Sequence, residues 1–126
     1  MKIKLHTETV IDSAHQLKGY NGLCSNVHGH SWFIDIWIQG DSNQLNKDGI
    51  LFDFGNVKNI KETLDHKFIN DYPRFDVDKG GVNPTAENLS MYIYEMLHSF
   101  DQLLQYKVRL YETKVGKETW CEVGDF

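Results

Sequence analysis

Long apolar runs are missing from this sequence. No stretch approaches the roughly 18 consecutive apolar residues that a membrane-spanning helix needs, so no membrane partner is expected. Runs of Lys or Arg are missing too. With a formal charge of −5, the chain offers no basic face for a nucleic acid. Cysteine is scarce: Cys24 and Cys121 are too few for a disulfide framework, and a reducing compartment keeps both as thiols. Internal repeats, low-complexity tracts and linkers are also absent. The opening stretch, MKIKLHTETVIDSAH, alternates charged and apolar side chains and holds no signal-peptide core, which sets the expectation of a cytoplasmic protein.

What is present is enough for one domain spanning residues 1–126, with 40% hydrophobic and 25% charged residues. Residues 2–11 alternate, with Ile3 and Leu5 on one face and Lys2, Lys4 and His6 on the other, and predict a half-buried strand. After a Gly/Asn-containing loop, Trp32, Ile34, Ile36 and Ile38 share one parity in a second strand over about 28–39. The period then changes. Val57, Ile60 and Leu64 recur at helical spacing behind Asp53 as N-cap. A clearer helix follows a polar loop, with Asn83 as cap, Pro84 at its first position and Glu87 in its first turn. Its apolar stripe is Leu89, Tyr92, Ile93, Met96, Leu97 and Phe100. Short strands near 107–113 and 118–123 finish the chain. The order β-β-α-α-β-β predicts an α+β fold: a four-stranded antiparallel sheet with both helices on one face.

The densest chemistry lies in CSNVHGH, residues 24–30. His28 and His30 are two apart at a strand start, so both point to the same side. They can share one metal ion, with Gly29 leaving room between them. A hairpin would bring His15, where the first strand ends, close to His30. Three imidazoles with an open fourth position suit a catalytic rather than a structural zinc. Cys24 reads in two ways: a fourth ligand that closes the site, or a free thiol beside the metal serving as base or nucleophile. Cys121, between Trp120 and Glu122, reads as a core thiol. Asp65 and His66 are adjacent in LDHKF and would not face each other on a regular helix. On spacing alone they are an ordinary helix end, where the dipole favours His. If the backbone turns there, the carboxylate can orient the imidazole for proton transfer. Glu112 shares the parity of Val108 and Leu110. It either accepts hydrogen bonds from an amino-pyrimidinone edge or meets solvent at the strand end. His6 and His98 read as surface or boundary residues.

Six segments occur in one order: DSAHQL, CSNVHGHSW, GILFDFGNVK, LDHKFIND, NPTAENL and YET. Together they resemble the 6-pyruvoyl-tetrahydropterin synthase family over nearly the whole chain. The spacing Cys-x3-His-Gly-His is similar to that of its bacterial 6-carboxy-tetrahydropterin synthase branch. Val27 and Cys24 disfavour the branch that carries a loop Glu. Ile11, where an aromatic residue is common, and Ser13, where a small residue is usual, are minor departures. The resemblance implies a tunnelling fold assembled into homo-oligomers, commonly hexamers of stacked trimers, with active sites between subunits. It implies Zn2+ held by His15, His28 and His30. It makes Cys24 the proton-abstracting thiol, Asp65 with His66 the second proton-transfer group, and Glu112 the pterin anchor. The implied substrate is 7,8-dihydroneopterin triphosphate. The implied products are 6-carboxy-5,6,7,8-tetrahydropterin, acetaldehyde and triphosphate, on the route to queuosine. The alternatives are the pyruvoyl product, formed without carbon–carbon cleavage, and a non-catalytic zinc-stabilised module. A chain of charge −5 that binds a triphosphate must offset its field with local Lys or Arg.

Overall fold

The computed structural model describes residues 1–126. Its sheet has the order β1-β2-β3-β4, with every neighbouring pair antiparallel. β1 is Lys2–His15, β2 His28–Asp41, β3 Gln105–Thr113 and β4 Thr119–Gly124. Helices α1, Gly55–Leu64, and α2, Ala86–Phe100, lie between β2 and β3 in the chain. The expected order is therefore present. No helix is long and apolar enough to cross a membrane.

Alternation decides which face of the sheet is covered. Ile11, Trp32, Ile34, Ile36, Ile38, Val108 and Leu110 are buried on one face, in one cluster with Val57, Ile60 and Leu64 of α1 and Leu89, Ile93 and Leu97 of α2. A half-buried strand and an amphipathic helix each have one apolar side, and these elements hide theirs against one another. The other face carries Lys4, His6, Glu8, Trp37, Lys107 and Arg109.

Element ends differ from the sequence reading for local reasons. β1 runs four residues past the expected end, because Asp12, Ser13, Ala14 and His15 continue the ladder opposite Ser31, His30, Gly29 and His28. Polar side chains hide that extension from a hydrophobic alternation. At α1 the N-cap position is Phe54, one residue after the expected Asp53. Asp53 still serves the helix, accepting from the backbone N–H of Gly55 at 2.8 Å. At α2 the cap is Thr85, whose hydroxyl accepts from the N–H of Asn88 at 3.1 Å. Asn83 does not cap because its amide is bonded to the backbone of Lys18. Pro84 lies before the helix.

Ile93, fully buried where α2 meets the sheet, provides a test of this packing. Ile93→Ala should cost about 2–5 kcal/mol, read as a lower denaturant midpoint. Lys58→Ala on the exposed side of α1 should shift stability by less than about 0.5 kcal/mol. Equal midpoints for the two variants would contradict the assigned core.

Candidate active site and metal centre

The final pair of the β1–β2 ladder is His15 with His28, and two pairs inward Ser13 faces His30. Strand parity puts all three imidazoles on the helix-covered face. One ring nitrogen from each lies within 4.8 Å of the others. Ring centroids are 4.5 Å apart for His15–His28, 5.1 Å for His15–His30 and 4.9 Å for His28–His30. Trp32, buried below them, meets His15 and His30 edge to face. Gly29 does not make the room expected of it. Its missing side chain would point to the opposite face, where an added Cβ meets only the Ser13 carbonyl at an ordinary 3.6 Å.

Two backbone carbonyls fix the tautomers. His15 Nδ1 lies 2.7 Å from the Pro84 carbonyl, and His28 Nδ1 lies 2.7 Å from the Asn26 carbonyl. A carbonyl only accepts, so each Nδ1 carries the hydrogen and donates. In the neutral rings both Nε2 atoms then present lone pairs, and these atoms are only 3.0 Å apart. Two lone pairs aimed at one point need a shared proton or cation between them. Imidazoles anchored through their far nitrogen are the usual form of a metal-binding His. Burial pushes the His15 pKa below the ordinary imidazole value, and neighbouring His28 and His30 add to that, against the Pro84 bond and the charge of Glu112. Burial, then His28, lowers His30 as well. Both shifts favour the neutral form that ligates. The donor set fits a divalent ion that accepts nitrogen ligands.

Cys24 sits in a single 3-10 turn, Leu23–Ser25, on the loop leading into β2. It is half-buried. Its carbonyl accepts from the N–H of Leu17 at 2.9 Å. Its sulfur is not part of the group of ligand atoms formed by the three imidazoles. Cys121 is half-buried rather than fully in the core, and burial pushes its thiol up while contact with Ser90 pulls it down.

Asp65 and His66 do face each other. α1 ends at Leu64, Asp65 occupies its C-cap and His66 has φ 57°, the left-handed region that non-glycine residues seldom occupy. That turn brings His66 Nδ1 to 2.9 Å from Asp65 Oδ2. Asp65 Oδ1 accepts from the N–H of Asp12 at 2.8 Å. This backbone bond comes first, and His66 follows, in holding the Asp65 carboxyl below its usual range. The segment then docks on the outer edge of β1, with the His66 N–H donating to the Asp12 carbonyl and the Ala14 N–H to the Lys67 carbonyl. The His66 side chain remains 79% exposed. The pair is therefore built on the β1 edge, outside the group of three imidazoles.

Glu112 is half-buried near the end of β3, close enough to His15 for its charge to act there. The β3–β4 register shifts between Tyr111 and Thr113, so Glu112 occupies a bulge. Bulges re-aim side chains and recur beside active sites. A second grouping, His6, Glu8 and Asp35, lies on the other face of the sheet. There the Tyr111 hydroxyl donates to Asp35 and His6 meets Asp35 at 3.3 Å, so His6 is a bonded surface residue. The sequence reading missed Asn26 and Pro84, which act through their carbonyls and leave no side-chain signal. It also missed Ser13 Oγ and Trp32 Nε1, buried without partners beside the imidazoles.

The chain resembles known proteins over most of its length. Residues 4–123 match the family model for 6-pyruvoyl tetrahydropterin synthase. The chain is 30% identical over 139 aligned positions to the 6-carboxy-5,6,7,8-tetrahydropterin synthase of Haemophilus influenzae, covering 94% of this chain and 96% of that one. It is 30% identical to the Bacillus subtilis enzyme of the same name, over 82% of this chain and 71% of the relative. The 6-pyruvoyl tetrahydrobiopterin synthase of Dictyostelium discoideum is also 30% identical, over 81% and 76%. The solved structure of Caenorhabditis elegans 6-pyruvoyl tetrahydropterin synthase shares the fold, with a TM-score of 0.72 at 21% identity, over 98% of this chain and 96% of that chain. With a match from residue 4 to residue 123 and that fold in common, the chain belongs to the 6-pyruvoyl tetrahydropterin synthase family.

Proposed function

We propose that the protein converts 7,8-dihydroneopterin triphosphate and water into 6-carboxy-5,6,7,8-tetrahydropterin, acetaldehyde and triphosphate, as a zinc-dependent lyase supplying 7-deazaguanine (queuosine) synthesis in the cytoplasm. The observation that carries the reading is the pair of His15 and His28 Nε2 atoms, 3.0 Å apart with both Nδ1 hydrogens already bonded to carbonyls. His15, His28 and His30 would hold Zn2+, which, when bound, supplies Lewis acidity to the hydroxyls of the substrate side chain.

The remaining roles belong to side chains. The Glu112 carboxylate accepts hydrogen bonds from the amino-pyrimidinone edge and fixes the ring. Cys24, as thiolate, takes a proton from the side chain. His66, oriented through Nδ1 by Asp65, exchanges a proton through its outward Nε2. These transfers move the oxidation level from side chain to ring. Cys-x3-His-Gly-His and the relatives named 6-carboxy-5,6,7,8-tetrahydropterin synthase support the carboxy product. The Dictyostelium relative supports a second reading, the pyruvoyl product. A sulfur outside the cluster weighs against a closed, non-catalytic zinc module.

The site is completed between subunits of a homo-oligomer, a hexamer built as a dimer of trimers. Asp65 hangs from the backbone of Asp12, and Asp12 points to the face opposite His15. His66 stands exposed beyond the β1 edge, positioned to serve a neighbouring copy. Joining the outer edges of β1 and β4 would also cover strands that an isolated sheet leaves open.

Incubation of the purified protein with dihydroneopterin triphosphate should yield acetaldehyde and a carboxy-pterin, and a chelator should stop it. A diketo side chain without acetaldehyde would instead establish the pyruvoyl reading. Cys24→Ala should lower turnover by about 10²–10⁴-fold with one zinc per chain retained, and loss of zinc with the sulfur would favour the structural module. His66→Gly relieves the left-handed residue, so it should abolish turnover without lowering the unfolding midpoint. Co-refolding Cys24→Ala with His66→Ala chains should restore part of the activity if sites are shared. No recovery in properly assembled mixtures would place both groups in one subunit.

A further inference from the structure

β1 stops at His15, but its ladder of hydrogen bonds continues on side chains. The Gln16 N–H donates to Asn70 Oδ1 at 2.9 Å, and Asn70 Nδ2 donates back to the Gln16 carbonyl at 2.8 Å. Two residues on, the Lys18 N–H donates to Asn83 Oδ1 at 2.9 Å, and Asn83 Nδ2 donates to the Lys18 carbonyl at 2.9 Å. In an extended chain residues 16 and 18 turn both backbone polar groups to one side and residue 17 to the other. The two amides therefore stand where a neighbouring strand would. On the opposite side the Leu17 N–H donates to the Cys24 carbonyl at 2.9 Å. Gln16 Nε2 adds a bond to the Ser25 carbonyl at 2.9 Å. The loop carrying the thiol thus hangs from residues 16–18.

We propose that Asn70 and Asn83 are positioning residues for the Cys24 thiol. They clamp residues 16–18 in register, and those residues fix the height of the sulfur relative to the three imidazoles. The inference deepens the proposed function and rests on its reading of Cys24 as a proton-transfer group. Two observations and one chemical argument support the assignment. Asn70 is buried, with 7% of its surface exposed, so its polar atoms are committed to this contact. Asn83 precedes Pro84, whose carbonyl orients His15, so one short segment sets both a ligand and the thiol loop. The requirement is for an amide. A carboxylate of the same shape accepts from the N–H but turns a second oxygen toward the backbone carbonyl, losing one bond and adding a repulsion.

The test uses the full-length protein with Cys121→Ser, so that Cys24 is the remaining thiol. Asn70→Asp and Asn83→Asp are compared with it by metal content, oligomer size, Leu17 amide exchange, the pH profile of iodoacetamide alkylation at Cys24, and kinetics. Expected are unchanged metal content and assembly, and Leu17 exchange faster by about tenfold. The alkylation rate should change at least about threefold. A fall in kcat of about 10²-fold should leave KM within about twofold, as misplacement of a reacting group produces. Folded, metal-loaded variants that alkylate and turn over like their parent would overturn the proposal. Asn70→Ala and Asn83→Ala, which open the clamp without burying a charge, decide the matter if the Asp variants do not fold. An altered alkylation rate supports the proposal and an unaltered one overturns it. Alkylation and exchange read the clamp even if the pterin substrate is not turned over, so failure of the functional reading is seen separately.

Discussion

The pairing of β1 with β2, continuous from Lys2–Asp41 to His15–His28, is the constraint on which the rest depends. A strand side chain has only two directions to choose from, and one slip of register would send His15 to the opposite face from His28 and His30. The register is held by burial. Ile11, Trp32, Ile34, Ile36 and Ile38 lose their shelter under the helices if it moves. Core packing and ligand geometry are thus two consequences of the same ladder. Trp32 links them directly, buried in the core with its ring against His15 and His30.

The surroundings of the imidazoles are prepared rather than improvised. Backbone carbonyls of Asn26 and Pro84 orient two of the rings, and these acceptors cost no side-chain ordering. Burial keeps His15 and His30 inclined to neutrality. The Asp65–His66 pair follows a different principle. Asp65 and His66 are held on the β1 edge by backbone bonds and a left-handed turn, and the imidazole is left in solvent. A buried nitrogen cluster on one face and an exposed Asp65–His66 pair on one edge are what the proposed site between subunits would need. If the proposed oligomer forms, cations from more than one subunit would gather at the shared site and offset the charge of −5 toward an anionic substrate.

Much of this was legible in the sequence because it is periodic. Alternation gave the strands, helical spacing gave α1 and α2, and a hairpin placed His15 beside the HxH pair. What was not legible is aperiodic. The polar end of β1 carries no hydrophobic alternation, so alternation defined the strand only to Ile11, although His15 was expected near its end. The left-handed turn at His66 is a single-residue event that no spacing rule anticipates, and it converts an unpromising i, i+1 pair into a hydrogen-bonded one. Asn83 carries a genuine capping signature, yet tertiary structure spends its amide on Lys18 and leaves the cap to Thr85. The bulge at Glu112 depends on how β4 pairs with β3, which local sequence does not encode.

The proposed chemistry requires the three imidazoles to share one divalent cation while the thiol of Cys24 stays unbound and reactive. X-ray absorption at the zinc edge of the resting, fully loaded protein reads both conditions at once. The expected first shell is nitrogen and oxygen only, at about 2.0–2.1 Å, with the imidazole scattering pattern of three histidines. A sulfur scatterer at about 2.3 Å, removed by Cys24→Ala, would contradict it.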